Sequence, residues 1–156
     1  LILYRLTKTR HLATAWSGYG AEQAGGRWNS IGVAMVYVSE SASLTMLETL
    51  VHLHAANIMD AFTLLSIEVP DNEILDADMS KLPANWADEI APPELALYGD
   101  AWFDAKSSIA LRVPSALSPT EDNFLLNPEH PDFYALTLKA KAIPFQFDTR
   151  LKPARP

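Results

Sequence analysis

Residues 33–53, VAMVYVSESASLTMLETLVHL, contain the change of period that decides the fold class. Val33, Met35 and Tyr37 alternate with Ala34, Val36 and Val38, the two-residue period of a strand apolar on both faces. Ser39, Ser41 and Ser43 then offer oxygens for the free N–H groups at a helix start. Leu44, Leu47, Val51 and Ala55 recur behind them at three- and four-residue intervals. The pattern predicts a strand opening at Gly32 and a helix over 43–57 with its apolar stripe through those four positions. Glu48 lies on the edge of that stripe. A carboxylate there either reaches water from the boundary or points into a cleft beside Tyr37, and periodicity leaves both readings open.

Upstream, residues 1–6 have strand character, and 7–26 form a polar, glycine-punctuated stretch that is mostly loop with one helical turn. Downstream, residues 61–69 are apolar and β-branched enough for a second long strand, ended by Pro70. Residues 71–93 are acidic, broken by prolines and expected to be irregular. A helix over 94–106, despite Gly99, precedes strands over 109–113 and 123–126, stopped by Pro114 and by Asn127-Pro128. Residues 142–147 alternate, but Pro144 cannot donate to a ladder and places this strand at an edge. Strands separated by irregular loops argue for α+β packing rather than a doubly wound parallel sheet. With 156 residues and neither repeat nor linker, one domain is expected over 1–151, with 152–156 as a C-terminal tail.

Composition narrows the chemistry. Zero cysteines remove thiolate nucleophiles, disulfides, cysteine-ligated zinc and iron–sulfur clusters. Twelve basic against nineteen acidic residues give a net charge of −7, a field that repels a phosphate backbone and disfavours direct nucleic-acid binding. No charge-free run approaches the roughly 18 residues of a membrane span. Residues 1–6 also lack the basic head and longer apolar run of a secretion signal. His52 and His54 fall on different faces of their helix, and His130 sits in a turn without a second ligand set, so no metal is expected.

The polar candidates lie in separate segments. Gly25, Gly26, Arg27, Trp28 and Asn29 put a bare backbone before a planar cation suited to phosphate oxygens. A tight turn with a surface salt bridge is the plain alternative. Gly18 and Gly20 begin a dinucleotide fingerprint whose third glycine is misplaced, and no Gly-Lys-Ser or Gly-Lys-Thr supplies a phosphate loop. Ser115 ends a strand where a hydroxyl can bind either the local backbone or a ligand. Without a nucleophile elbow it is a poor acyl-transfer nucleophile.

The order of these features resembles the RES family, the toxin half of bacterial RES and Xre toxin–antitoxin pairs, named for an Arg, a Glu and a Ser. The matching pieces are Tyr4-Arg5, GYGAEQAGGRWNSIG at 18–32, VYVSESASLTMLETLVHL at 36–53, Gly99 with Trp102, RVPSAL at 112–117 and NFLLNPEHPDF at 123–133. The resemblance makes Arg27, Glu48 and Ser115 the namesake positions. It implies an ADP-ribosyltransferase-like split β-sheet with flanking helices and an NAD cleft, in which Tyr37 and Glu48 are the group's Tyr and Glu.

The implied activity is that of a cytoplasmic toxin that depletes NAD by hydrolysis or phosphorolysis of the nicotinamide–ribose bond. NAD would be the substrate, with no resident cofactor. Arg27, Tyr37, Glu48 and Ser115 would be catalytic, and Arg5, Gly26, Trp28, Asn29 and Asn127 would bind substrate. The implied partner is an Xre-family DNA-binding antitoxin, with a homodimer compatible with such a complex. Two other functions remain open on the sequence. One is a toxin that ADP-ribosylates a protein. The other is a non-enzymatic interaction module in which the arginine and glutamate pair to hold the core. The enzymatic readings require Arg27, Tyr37 and Glu48 to line one pocket sized for a dinucleotide.

Overall fold

The switch from strand to helix falls where the period changes. Strand β2 (Val36–Ser39) ends at a serine, and Ser41 accepts a hydrogen bond from the Leu44 N–H at 3.1 Å to cap helix α2 (Ala42–His52), which follows the short α1 (Tyr19–Ala24). The computed structural model describes residues 1–152; residues 153–156 of the expected tail lie outside the described residues. Besides β2, the sheet contains β1 (Ile2–Lys8), β3 (Phe62–Glu68), β4 (Ile74–Asp76), β5 (Ala110–Pro114), β6 (Asp122–Leu126) and β7 (Lys141–Phe145). Their order is β4-β5-β6-β2-β1-β3-β7, antiparallel throughout except for the parallel pair β4 and β5. The fold is α+β, as expected.

The sheet is split at its centre. β1 pairs with β3 from Ile2–Glu68 through Lys8–Phe62, yet meets β2 at the single register Tyr4–Ser39. Two half-sheets, β4-β5-β6-β2 and β1-β3-β7, therefore diverge from that point. Alternation puts Tyr4, Leu6, Tyr37, Ser39, Asn123 and Leu125 on one face. Above one half, Leu6 packs with Met46 and Leu50 of α2 and with Phe62 and Phe147. Above the other, Leu111, Val113 and Leu125 pack with Trp28 and with Leu95, Trp102 and Phe103 of α3 (Pro93–Ala105). The opposite face buries Leu3, Val36, Val38, Ile67, Phe124 and Leu126 with Phe133 of α4 (Phe133–Thr137). Helices α2 and α3 thus stand on the same face, one over each half-sheet, and the fork lies between them.

Five expectations are corrected. Strand β2 begins at Val36 rather than at Gly32, and residues 7–26, expected mostly as loop, hold a 3-10 helix over Thr9–Thr14 and a short α-helix over Tyr19–Ala24. Helix α2 stops at His52, because Leu53 is already extended at φ −91° and ψ 128°. Its stripe is also rotated: Leu47 and Val51 are 42% and 56% exposed, while Leu44 and Thr45 are buried. The Thr45 hydroxyl donates to the Tyr4 carbonyl at 2.9 Å, pinning that face to β1 and turning Glu48 toward the fork. Residues 71–93 are not wholly irregular, since β4 forms there beside β5. Pro144 does lie in the edge strand β7.

Candidate active site

Glu48 reaches across the fork from α2. Its Oε1 accepts from the Ser115 hydroxyl at 3.0 Å and from the Asn123 amide Nδ2 at 2.6 Å. Ser115 is fixed in turn. Its Oγ accepts from the N–H groups of Leu117 and Ser118, both at 3.1 Å, so the remaining hydroxyl proton is directed at the carboxylate. Both protein donors converge on Oε1, and among the described residues no protein donor bonds Oε2. Glu48 is half-buried and forms no ion pair among the described residues.

Tyr37 stands beside this cluster, two residues before Ser39 on the same face of β2. Its hydroxyl donates to Asn29 Oδ1 at 2.7 Å and accepts from the Trp28 N–H at 3.0 Å. Burial holds the phenol well above its ordinary range; the Asp100 charge adds to this, while the Trp28 N–H and Arg27 oppose it. Tyr37 is therefore a neutral ring with an engaged tip. Gly26 makes that tip possible, because a Cβ there would come within 2.6 Å of the Tyr37 hydroxyl. Trp28 is buried at 3% exposure, packed edge-on to Tyr98 of α3. Gly99 of α3 lies so close to the Trp28 carbonyl oxygen that any side chain would overlap it. These contacts fix the 25–33 loop against the sheet.

Arg27 does not pair with Glu48. Its Nη1 donates to the Trp86 carbonyl at 2.8 Å and its Nη2 to the Asp88 carbonyl at 2.9 Å, which draws residues 83–91 across the loop. Three of its five N–H donors remain for a ligand. The interaction module built on an Arg27–Glu48 pair therefore lacks its contact. Arg5, from β1, enters the fork and donates from Nη1 to the Tyr37 carbonyl at 3.0 Å. Burial lowers its pKa to about 10, so it remains a cation at neutral pH, and its Nε is buried without a partner.

Asn29 meets this site through the Tyr37 hydroxyl, while Asn127 is bonded elsewhere. The Asn29 amide donates to the carbonyls of Ala21, Ser30 and Val33 and ties the loop internally. Asn127 is fully buried, donating to the Phe103 carbonyl and accepting from the Glu129 N–H. Both amides are occupied by backbone, and Trp28 is a core residue. In the folded chain these three organise the loop and the end of β6.

Neither of the two hollows described among residues 1–152 is the dinucleotide-sized pocket expected around Arg27, Tyr37 and Glu48. Hollows of about 330 and 520 Å³ flank the sheet elsewhere. The first is lined by Lys8, Arg10 and His52, the second by Trp16, Phe133 and Tyr134. Beside Arg27 the space is taken by the 83–91 segment, whose Trp86 packs on the same cluster as Trp28.

Asn123 and Ser39 were not singled out by sequence reasoning. The one available signal was a polar residue on each strand, Ser39 and Asn123, paired at one end of the β2–β6 ladder on the face shared with Tyr37.

The comparisons with known proteins give the chain's family and its likeness of fold. The RES domain model matches residues 2–148. A protein named Toxin Res from Yersinia enterocolitica is 43% identical over 152 residues, covering 97% of this chain and all of that one. A protein named Prs ADP-ribosylating toxin from a Sphingobium species is 40% identical over 130 residues, covering 81% of this chain and 80% of the other. In the crystal structure of the M. tuberculosis MbcT–MbcA toxin–antitoxin complex, one chain superposes with a TM-score of 0.73. The match covers 93% of this chain and 84% of that one at 20% identity, a likeness of fold. By its match over nearly the whole length and its close kinship to the Res toxins, this chain belongs to the RES domain family.

Proposed function

We propose that this chain, a toxin of a toxin–antitoxin system, takes NAD into the fork between the half-sheets and breaks its nicotinamide–ribose bond. The observation that carries this reading is the half-exposed Glu48 carboxylate, held through Oε1 by Asn123 on the sheet face that also bears Tyr37, with Oε2 unclaimed among the described residues. Cleavage of an N-glycosidic bond develops positive charge on the ribose through an oxocarbenium-like transition state. An oxygen fixed beside the ribose accepts from its hydroxyls in the ground state and stabilises that charge as it grows. Tyr37, kept neutral, supplies a flat apolar face for nicotinamide. Arg5 and Arg27 supply the local positive charge that a dianionic substrate needs in a protein of net charge −7. Binding then draws the guanidinium of Arg27 toward pyrophosphate, in competition with the Trp86 and Asp88 carbonyls.

Ribose C1 is passed to water or to phosphate, and a cytoplasmic supply of NAD suits either acceptor. The test is direct: purified protein is mixed with NAD, with and without phosphate, and free nicotinamide is followed. Release supports the reading, and none under either condition refutes it. The name of the Sphingobium relative favours a second reading, transfer of ADP-ribose to a protein side chain from the same site. Labelled NAD incubated with cell lysate separates the two, since only transfer leaves label on protein. An Xre-type DNA-binding antitoxin that covers the fork is the proposed partner, consistent with the toxin–antitoxin complex whose toxin-like chain shares this fold. Nucleic acid would then be contacted by the partner rather than by this acidic surface.

A further inference from the structure

Asn123 lies on β6, where its backbone pairs with Ser39 of β2 on one side and Val113 of β5 on the other. Its position is therefore set by the ladder and leaves the side chain one task. The amide Nδ2 donates to Glu48 Oε1 at 2.6 Å, while Oδ1 lies 2.7 Å from the Ser39 hydroxyl. Ser39 is buried at 3% exposure. An ionised carboxylate only accepts hydrogen bonds, so Asn123 must turn its NH₂ toward Glu48 and its carbonyl oxygen toward Ser39. The Ser39 hydroxyl must then donate. The chain Ser39 to Asn123 to Glu48 has one direction, and each bond polarises the next toward the carboxylate.

We propose that Asn123, oriented by Ser39, is a positioning residue that fixes the rotation of the Glu48 carboxylate so that Oε2 faces the substrate. The inference rests on the NAD-cleavage reading for its consequence, though not for its geometry. The terminal torsion of a glutamate is otherwise broad, and one donor would leave the group free to swing. Two donors arriving from different strands remove that freedom, since Ser115 follows β5 and Asn123 lies in β6. Stabilisation of a ribosyl cation is sensitive to such placement, because an error near 1 Å can lower a rate about a hundredfold.

The test compares N123A, N123D, S39A and S39T with wild type in nicotinamide release, with melting temperature measured alongside. N123A and N123D are expected to lower kcat about 10- to 100-fold with KM within about twofold, because the loss concerns orientation rather than binding. Asp has the shape of Asn but cannot donate to an ionised neighbour, so it should not rescue. S39A should lower kcat more mildly, and S39T, which keeps the hydroxyl, should restore it. An unchanged kcat in N123A, or a loss that appears in KM alone, would overturn the proposal.

A substrate-free measurement guards against both misfolding and failure of the NAD reading. In nitrogen-edited NMR the Asn123 side-chain amide proton should lie downfield in wild type and return toward the ordinary range in E48A. If wild type releases no nicotinamide, the NAD reading falls and this signal decides the clamp. A signal unmoved by E48A refutes it.

Discussion

Replacing Glu48 by Gln separates a catalytic carboxylate from a structural one. Gln can place its carbonyl oxygen where Oε1 sits and keep the hydrogen bonds from Ser115 and Asn123. Both bonds pass from charge-assisted to neutral, a loss of about 1 kcal/mol each, offset in part because a charge is no longer desolvated. For a chain of this size 1 kcal/mol is about 2–4 °C, so melting should fall by no more than about 8 °C. The effect on rate is larger. A carboxylate oxygen about 4 Å from a ribosyl cation, at an effective dielectric near 20, contributes about 4 kcal/mol to the transition state. That corresponds to about a thousandfold in kcat/KM. Nicotinamide release followed by chromatography, beside a thermal melt, reads both numbers. A well-folded E48Q that retains more than about a tenth of wild-type activity would refute the transition-state role, as would a melting loss far above that bound with activity intact.

Gly99→Ala should destabilise the fold by about 3 kcal/mol or more, because the new methyl overlaps the Trp28 carbonyl and the helix must move; chemical denaturation measures it. Tyr37 holds its proton in the folded chain beyond the pH at which an unfolded tyrosine releases it. Stability from this group is thus full below about pH 10 and declines as pH rises further. In a titration at 295 nm, one of the five tyrosines should ionise only as the chain unfolds, and the Y37F variant should lose that late step. Arg27→Ala should release residues 83–91 from the loop and raise the KM for NAD. Faster limited proteolysis within that segment checks the first effect, and unchanged cleavage would show that the two carbonyl contacts do not hold it.

Much of the scaffold was legible locally. The period change at Ser39 marks β2 and α2, the β-branched run before Pro70 marks β3, and Pro144 marks an edge strand. Each signal lies within a few residues of the structure it specifies. The family pattern likewise pointed to Glu48 and Ser115, which meet across 67 positions of chain. It also pointed to Asn29, Asn127 and Trp28 as ligand contacts, and the folded chain gives these side chains partners within the protein. A polar side chain looks the same in sequence whether its partner is a substrate or a backbone carbonyl, and Asn29 satisfies three such carbonyls. β4 was missed because three residues in an acidic, proline-broken stretch become a strand only through pairing with β5.

The sequence by itself determined the class of the fold and most of its elements, because hydrophobic period and capping chemistry are local properties. Tertiary structure alone decided that β1 and β2 part after one pair, that α2 turns Leu47 outward and Glu48 inward, and that Asn123 and Ser115 share one oxygen of that carboxylate. Those outcomes depend on where distant strands come to rest. No window of sequence contains both partners of such a contact.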